Sequence, residues 1–158
     1  MAADPLADPA PLIRRVYAYV AYRVGDGPEA EDITSETFER ALRYRTNYDS
    51  RKGTPAAWLI GIATRCVADS FARRAGEVLV ADAPEQAGRD EAGAAAERLD
   101  LAEAVAKLSE RDRELVALRY GADLRAREIA DILELKTGAV EVALHRALER
   151  LRETMGNG

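Results

Sequence analysis

The sequence is poor in the residues that build disulfides, metal centres and membrane spans. It has a single cysteine, Cys66, and a single histidine, His145. These counts exclude an internal disulfide and argue against a Cys/His metal site, so we expect no metal and no cofactor. No apolar run approaches the roughly 20 residues needed to span a bilayer. Residues 1–11 are acidic and interrupted by prolines, unlike a signal peptide. Together these absences predict a cytoplasmic protein without membrane insertion.

Positive charge is also in short supply. Lys and Arg number 23 against 28 Asp and Glu, which gives a net charge of −5 and an isoelectric point near 5.1. This balance excludes a protein that coats nucleic acid by bulk charge. The charge is uneven, however: residues 12–74 sum to +3, residues 75–99 to −4 and residues 100–158 to −2. The change of sign predicts two folded domains joined by an acidic linker.

The first block lacks the alternating apolar pattern of strands and shows helical periodicity instead. Apolar residues predict a first helix from Leu12 to Val24 and a second from Pro28 to about Tyr44. Thr54 is placed to cap a third helix that begins at Pro55. The fold class predicted is therefore all-α.

The second block follows a stretch rich in alanine, glycine and acidic residues. Ser109 predicts the cap of a helix running from Glu110 to Tyr120. A short helix over Arg125 to Leu133, a brief turn and a longer helix over Gly138 to Glu153 follow. This layout is that of a helix-turn-helix, whose second helix enters the DNA major groove. The predicted organisation is a disordered tail (1–11), a helical domain (12–74), a flexible linker (75–98) and a helix-turn-helix domain (99–155).

Two pairs of motifs, taken together, resemble one family. The first pair is EAEDITSETFERALR from Glu29 and YDSRKGTPAAWLIGIATRCVADSFARR from Tyr48. The second is LSERDRELVALRY from Leu108 and REIADILELKTGAVEVALHRALERLRE from Arg127. In order, spacing and size the chain resembles bacterial RNA polymerase sigma factors of the extracytoplasmic-function type. The resemblance covers nearly everything except the tail and the linker.

The resemblance implies a transcription initiation factor. Such a factor binds core RNA polymerase, directs it to specific promoter DNA and is controlled by an anti-sigma factor. The sequence has no phosphate-binding glycine-rich loop, no nucleophile motif and no metal cluster, so we expect no catalytic residues, no small-molecule substrate and no enzymatic activity. The resemblance also implies a bacterial cytoplasmic protein that joins the nucleoid as part of the holoenzyme.

The second helix is the polymerase-binding element that the resemblance implies. Without the family, its charged side would be an ordinary solvated face. Ser35 departs from the family, which usually has Gln there. The implied contacts are Asp32, Glu36, Phe38 and Arg40.

The loop from Asn47 to Thr54 and the helix after it are implied to open and read the minus-ten promoter element. Strand opening needs cations for phosphates and an aromatic face or pocket for an unstacked base. Trp58 ranks below the loop residues, because a tryptophan among apolar positions is more often part of a core. The implied residues are Tyr48, Arg51, Lys52, Trp58, Arg65, Arg73 and Arg74.

The recognition helix of the helix-turn-helix departs most from the family. Glu134 stands at the usual turn glycine, and Glu141, Val142 and Ala143 replace a run that is commonly Lys, Ser, Arg. One interpretation is an unusual minus-thirty-five preference, with apolar contacts to thymine methyls. The other is weak binding of that element, which also motivates an alternative function: a sigma-like decoy that binds an anti-sigma factor or polymerase without reading DNA. The implied DNA contacts are Lys136, Thr137, Ala139, Val142, Arg146 and Arg150.

Overall fold

The described part of the chain is helical. We analysed a computed structural model, which describes residues 4–77 and 94–156. No strand occurs within these two ranges, so the all-α prediction is confirmed. A 3-10 turn (Arg45–Asn47) follows α2, and a π-helical turn (Ala117–Gly121) follows α5. The α-helices are α1 (Pro9–Val24), α2 (Pro28–Tyr44), α3 (Pro55–Glu77), α4 (Ala94–Ala106), α5 (Glu110–Val116), α6 (Ala126–Leu133) and α7 (Thr137–Gly156).

The first block is a three-helix unit made by α1, α2 and α3. Its helices meet through their apolar stripes, with Val20, Ile33 and Leu59 almost completely buried. Its boundaries differ from the prediction at both ends. Helix α1 begins at Pro9, inside the predicted tail, and α3 continues to Glu77, inside the predicted linker. The tail also contributes buried surface, because Pro5 is buried and Leu6 packs against the core.

Helix starts are the local features that the sequence predicted best. The Thr54 hydroxyl accepts a hydrogen bond from the Ala57 amide (3.2 Å), at the start of α3. The Ser109 hydroxyl accepts one from the Asp112 amide (3.2 Å), at the start of α5. Each cap satisfies an amide that the first turn of a helix leaves without a backbone partner. Both predicted caps are confirmed.

The second block contains the predicted helix-turn-helix, formed by α6 and α7. Val140 and Leu144 of α7 are buried, as the periodicity predicted. Helix α6 ends at Leu133 and is capped by Glu134, whose φ of 56° lies in the left-handed region that favours glycine. The Leu135 amide then donates to the Ala130 carbonyl (2.9 Å), which closes the turn. The left-handed backbone at this position explains why the family that the sequence resembles usually has glycine there. Residues 78–93, which make up most of the predicted linker (75–98), lie outside the described residues.

The two blocks pack against each other and share an apolar core. The π-helical turn lies directly on α1 at Gly121. A Cβ atom at Gly121 would come 2.8 Å from the Tyr19 Cα and 2.9 Å from the Ala18 carbonyl oxygen. Since real Cβ atoms do not approach backbone so closely, only glycine permits this contact.

Candidate nucleic-acid and partner interfaces

An ion-pair network connects the predicted polymerase-binding helix α2 to α3. The Arg40 guanidinium lies 2.8 Å from a Glu36 oxygen and 2.8 Å from an Asp69 oxygen. These hydrogen bonds, first to Asp69 and then to Glu36, raise the pKa of Arg40. Arg73 of α3 adds a longer ion pair to Glu36 (3.7 Å). Two of the four predicted polymerase contacts are thus held against α3 by charge.

The other two predicted polymerase contacts lie in different environments. Asp32 is exposed on α2, just beyond its first turn. Phe38 is partly buried and packs against the apolar core. The Phe38 ring therefore packs α2 onto the apolar core, whereas the Asp32 side chain lies at the surface.

The loop before α3 is folded by its own side chains. The Tyr48 hydroxyl donates to the Gly53 carbonyl (2.9 Å), which closes the loop. The Tyr48 and Trp58 rings meet edge to face, with centroids 5.6 Å apart and planes at 61°. Trp58 also packs partly against the core, as expected for an aromatic residue among apolar positions. The contact between the two aromatic rings thus holds the loop against the start of α3.

Two cations lie on this loop. The Asp49 carboxylate accepts from the Arg51 amide (3.0 Å) and from its guanidinium (3.1 Å). These hydrogen bonds lower the pKa of Asp49 and keep it ionised. Arg51 and Lys52 both remain exposed, beside an aromatic pair that could support an unstacked base. The structure therefore brings four of the predicted minus-ten residues together.

The three remaining predicted minus-ten residues lie along α3 and differ from one another. Arg65 is exposed. Arg74 pairs with Glu29 of α2, and Arg73 pairs with Glu36. Two of these arginines therefore face acidic side chains of α2, so less of the α3 charge points outward than the sequence suggested.

The outer face of α7 carries most of the predicted minus-thirty-five residues. The turn before α7 is exposed, and so is the outer side of the first two turns of α7, where Val142 is 51% exposed. Leu135 is also exposed, and His145 pairs with Glu149 on the helix surface (3.0 Å). The outer face of α7 therefore has an apolar centre that is flanked by charges of both signs. The exposed predicted residues on this face are Lys136, Thr137, Ala139, Val142 and Arg146.

Arg150 differs from the other predicted minus-thirty-five residues. Its guanidinium lies 2.7 Å from an Asp112 oxygen on α5, and the Asp112 side chain is only 9% exposed. Because a buried carboxylate needs a partner, Arg150 braces α7 against α5. The Arg150 side chain is 56% exposed, and part of its charge is engaged by the α5 carboxylate.

A polar cluster between the two blocks was absent from the sequence predictions. The Tyr19 hydroxyl donates to both oxygens of Glu114 (2.9 Å each). Arg23 lies 2.7 Å from Glu114, as an ion pair without an aligned hydrogen bond, and donates to Glu110 (3.0 Å). The same guanidinium lies 5.3 Å from the Phe71 ring centroid. Tyr19 and Arg23 share a stripe with Val16 and Val20, a spacing that could have signalled their burial.

Burial dominates the acid–base properties of this cluster. It raises the pKa of the Tyr19 hydroxyl, and the neighbouring Glu114 charge raises it further. Burial also raises the pKa of the Glu114 carboxyl, although Arg23 partly opposes the shift. The cluster is therefore costly to bury unless its members stay paired.

The described residues contain neither a metal-binding cluster nor a membrane-spanning helix. Within residues 4–77 and 94–156, no group of three or more His, Cys, Asp or Glu side chains is arranged to hold a metal ion. In the same ranges no helix combines the length and apolar character required to cross a bilayer.

Comparison with known proteins identifies both blocks. The family model for Sigma-70 region 2 matches residues 11–77, and that for Sigma-70 region 4 matches residues 98–151. The chain is 30% identical over 145 residues to the ECF RNA polymerase sigma factor SigL of Mycobacterium tuberculosis, covering 89% of this chain and 82% of SigL. It is 35% identical over 143 residues to the ECF RNA polymerase sigma factor BldN of Streptomyces coelicolor, covering 86% of this chain. The chain spans about half of BldN, or 54% of its length.

A solved structure shares the fold. The sigma factor RpoE of Bartonella quintana, solved in complex with the anti-sigma factor NepR, matches with a TM-score of 0.73 and 21% identity. The match covers 92% of each chain. The chain thus belongs to a class of two-block helical proteins with a carboxyl-terminal helix-turn-helix. Its family is that of the ECF RNA polymerase sigma factors.

Proposed function

We propose that the chain is a transcription initiation factor that binds core RNA polymerase and directs it to specific promoters. The observation that carries the proposal is the pairing of two nucleic-acid surfaces in one chain. One is the folded loop with Tyr48, Arg51 and Lys52 before α3. The other is the exposed outer face of α7 in a helix-turn-helix. Both lie in segments that match sigma-70 regions, in the family order.

The two surfaces suit different steps of initiation. The loop offers cations and an aromatic pair, the chemistry needed to hold an opened strand at the minus-ten element. The α7 face offers Val142 and Ala139 for thymine methyls, with Lys136 and Arg146 for phosphates. We assign the minus-thirty-five contact to this face, without Arg150.

The polymerase contact is proposed to lie on the α2 side of the first block. Asp32 is exposed there, and Glu36 and Arg40 form a charged ridge with Asp69. We also propose control by an anti-sigma factor, supported by the RpoE structure that was solved with NepR. The factor acts without enzymatic activity, in the bacterial cytoplasm and on the nucleoid when part of the holoenzyme.

The decoy hypothesis remains a specific alternative. The α7 face carries Glu141 and Glu149 beside its apolar centre, and phosphates repel such carboxylates. A decoy would bind polymerase or an anti-sigma factor and would protect no promoter from cleavage, even in the presence of polymerase.

Reconstitution tests the proposal. The purified chain is mixed with bacterial core polymerase and genomic DNA from the source organism, and transcription starts are mapped. We expect a small set of starts that share two upstream elements. Polymerase binding without promoter-specific starts would refute the initiation function and favour the decoy.

Variants of the loop test its assigned role. Lys52→Ala removes an exposed loop cation, and Arg14→Ala removes an exposed cation from α1 as a matched control. We expect Lys52→Ala to reduce permanganate reactivity of the opened minus-ten strand while polymerase affinity stays unchanged. Equal opening by the two variants would remove the loop from the proposed mechanism.

A further inference from the structure

The second turn of α7 places a carboxylate and an apolar side chain next to each other at the surface. Glu141 and Val142 are both exposed, and Val142 is 51% exposed. Val142 lies midway along the chain between buried Val140 and buried Leu144, so at about 100° per residue it points about 160° away from each of them. The outermost side chain of this turn is therefore apolar, and a carboxylate lies beside it.

The surface before Val142 is open toward the amino end of the helix. Gly138 lies one turn before Val142, so the two residues share a face of α7. A Cβ at Gly138 would meet nothing within 4 Å, and the backbone there is helical, so neither packing nor conformation requires glycine at this position. The missing side chain leaves room for a base edge to reach Val142.

Contacts to phosphate do not account for Glu141, because phosphates repel a carboxylate. The first residues of the second helix in a helix-turn-helix lie against base edges in the major groove. At such an edge a carboxylate accepts a hydrogen bond from the N4 amine of cytosine. Glu141 is therefore suited to a base edge, and cytosine is the base that it fits.

Val142 recognises a different group on the base edge. An apolar side chain neither donates nor accepts a hydrogen bond, so the group that it favours in the major groove is a methyl group on C5 of a pyrimidine. Thymine carries this methyl group beside the O4 acceptor, which repels a carboxylate, and cytosine carries the N4 amine without a methyl group. 5-Methylcytosine carries the amine and the methyl group on adjacent ring carbons, as Glu141 and Val142 are adjacent in α7.

We propose that Glu141 and Val142 together recognise 5-methylcytosine in the minus-thirty-five element, so that cytosine methylation strengthens promoter binding. The proposal rests on the proposed function. Glu141 accepts from the N4 amine and Val142 packs against the 5-methyl group, while Lys136 and Arg146 contact phosphates on either side. Promoter strength then depends on a covalent modification of the DNA as well as on its sequence.

Selection from random DNA tests the proposal. Two pools of duplexes share a randomised segment of promoter length, and one pool is amplified with deoxycytidine triphosphate, the other with 5-methyldeoxycytidine triphosphate. The full chain bound to bacterial core polymerase retains duplexes, which are then sequenced. We expect both pools to yield a shared upstream element. At one position of this element the methylated pool should yield 5-methylcytosine where the unmethylated pool yields thymine.

Four versions of one selected duplex separate the two contacts. The selected position holds cytosine, 5-methylcytosine, uracil or thymine, each opposite its complementary base. Within each pair of cytosines or uracils, adding the methyl group should lower the dissociation constant of the holoenzyme about fourfold, as expected for the burial of one methyl group. 5-Methylcytosine should bind about tenfold more tightly than thymine, because Glu141 meets a donor in the first base and an acceptor in the second.

Two variants assign each effect to its side chain. Val142→Ala should reduce the methyl effect in both pairs to less than about twofold, since the shorter side chain covers less of the methyl group. Glu141→Ala should make 5-methylcytosine and thymine equivalent while the methyl effect remains. Ile13→Ala and Glu153→Ala are matched controls, because each removes an exposed side chain of the same kind away from the start of α7. Both controls should keep the wild-type ratios.

The contrary results separate this proposal from the proposed function. Equal affinity for cytosine and 5-methylcytosine would overturn the methyl recognition and leave the initiation function intact. Effects that persist in Val142→Ala and Glu141→Ala would assign the recognition to other residues and would also overturn the proposal. Tight binding of methylated duplexes that support no transcription start would overturn the proposed function alone, because the affinity comparison needs only binding. A holoenzyme that enriches no upstream element from either pool would overturn both.

Discussion

Replacement of Arg150, which forms an ion pair with Asp112, distinguishes a structural role of this arginine from a DNA-binding role. Arg150→Met keeps most of the aliphatic length of the side chain and removes its charge. The Asp112 carboxylate, only 9% exposed, then loses a partner at 2.7 Å. Since the Arg150 side chain is 56% exposed, water can replace part of the interaction, and the loss should fall well below that of a fully buried pair.

The magnitude follows from these exposures. A hydrogen bond to a charged group contributes about 1.5–3 kcal/mol, and partial exposure of Arg150 reduces the expected loss to about 1–2 kcal/mol. For a chain of this size each kcal/mol shifts the melting temperature by about 2–4 °C, so we expect a decrease of roughly 2–8 °C. Urea unfolding monitored by circular dichroism gives the free energy, and thermal scans give the shift.

Arg146→Met is the matched control, because Arg146 is exposed on the same helix. Its unfolding free energy should stay within about 0.5 kcal/mol of the wild type. In reconstituted transcription, Arg146→Met should weaken initiation from promoters that depend on the minus-thirty-five element. If Arg150→Met retained wild-type stability and lost promoter affinity as Arg146→Met does, the bracing role would be refuted.

Three further predictions concern backbone strain, pH and thiol reactivity. Glu134→Gly removes a side chain from a left-handed position (φ 56°) and should raise the unfolding free energy by about 1 kcal/mol in urea titrations; a loss would contradict the strain argument. Burial raises the pKa of Glu114 above its ordinary 4.5. The raised pKa therefore stabilises the folded state fully below pH 4.5, and this stabilisation is lost as the pH rises through the raised pKa. Glu114→Gln should therefore gain stability relative to the wild type between pH 5 and pH 8, and a pH-independent difference would refute this. Cys66 is fully buried, which raises the pKa of its thiol, so a maleimide should label it at pH 7.5 only after urea unfolding; rapid labelling of the folded chain would contradict that burial.

The residues predicted to contact the promoter show which spatial groupings the sequence reveals and which it does not. The loop motif correctly grouped Tyr48, Arg51, Lys52 and Trp58, because these residues are close along the chain. The same reasoning included Arg150 among the predicted DNA contacts from its position on the outer helix alone. The structure shows that Arg150 also pairs with Asp112, 38 residues away, a partner that helical periodicity does not reveal.

By itself, the sequence determined the helices, their caps and the inward faces of each block. These features depend on residues three or four positions apart, so the backbone repeat alone brings them together. Only the tertiary structure decided which charges remain available to partners and how the two blocks meet. In the sequence, Gly121 only follows the predicted end of a helix at Tyr120, whereas in the fold it lies against the backbone of α1. The physical reason is that steric fit and ion pairing depend on distances between separate elements, which no local pattern encodes.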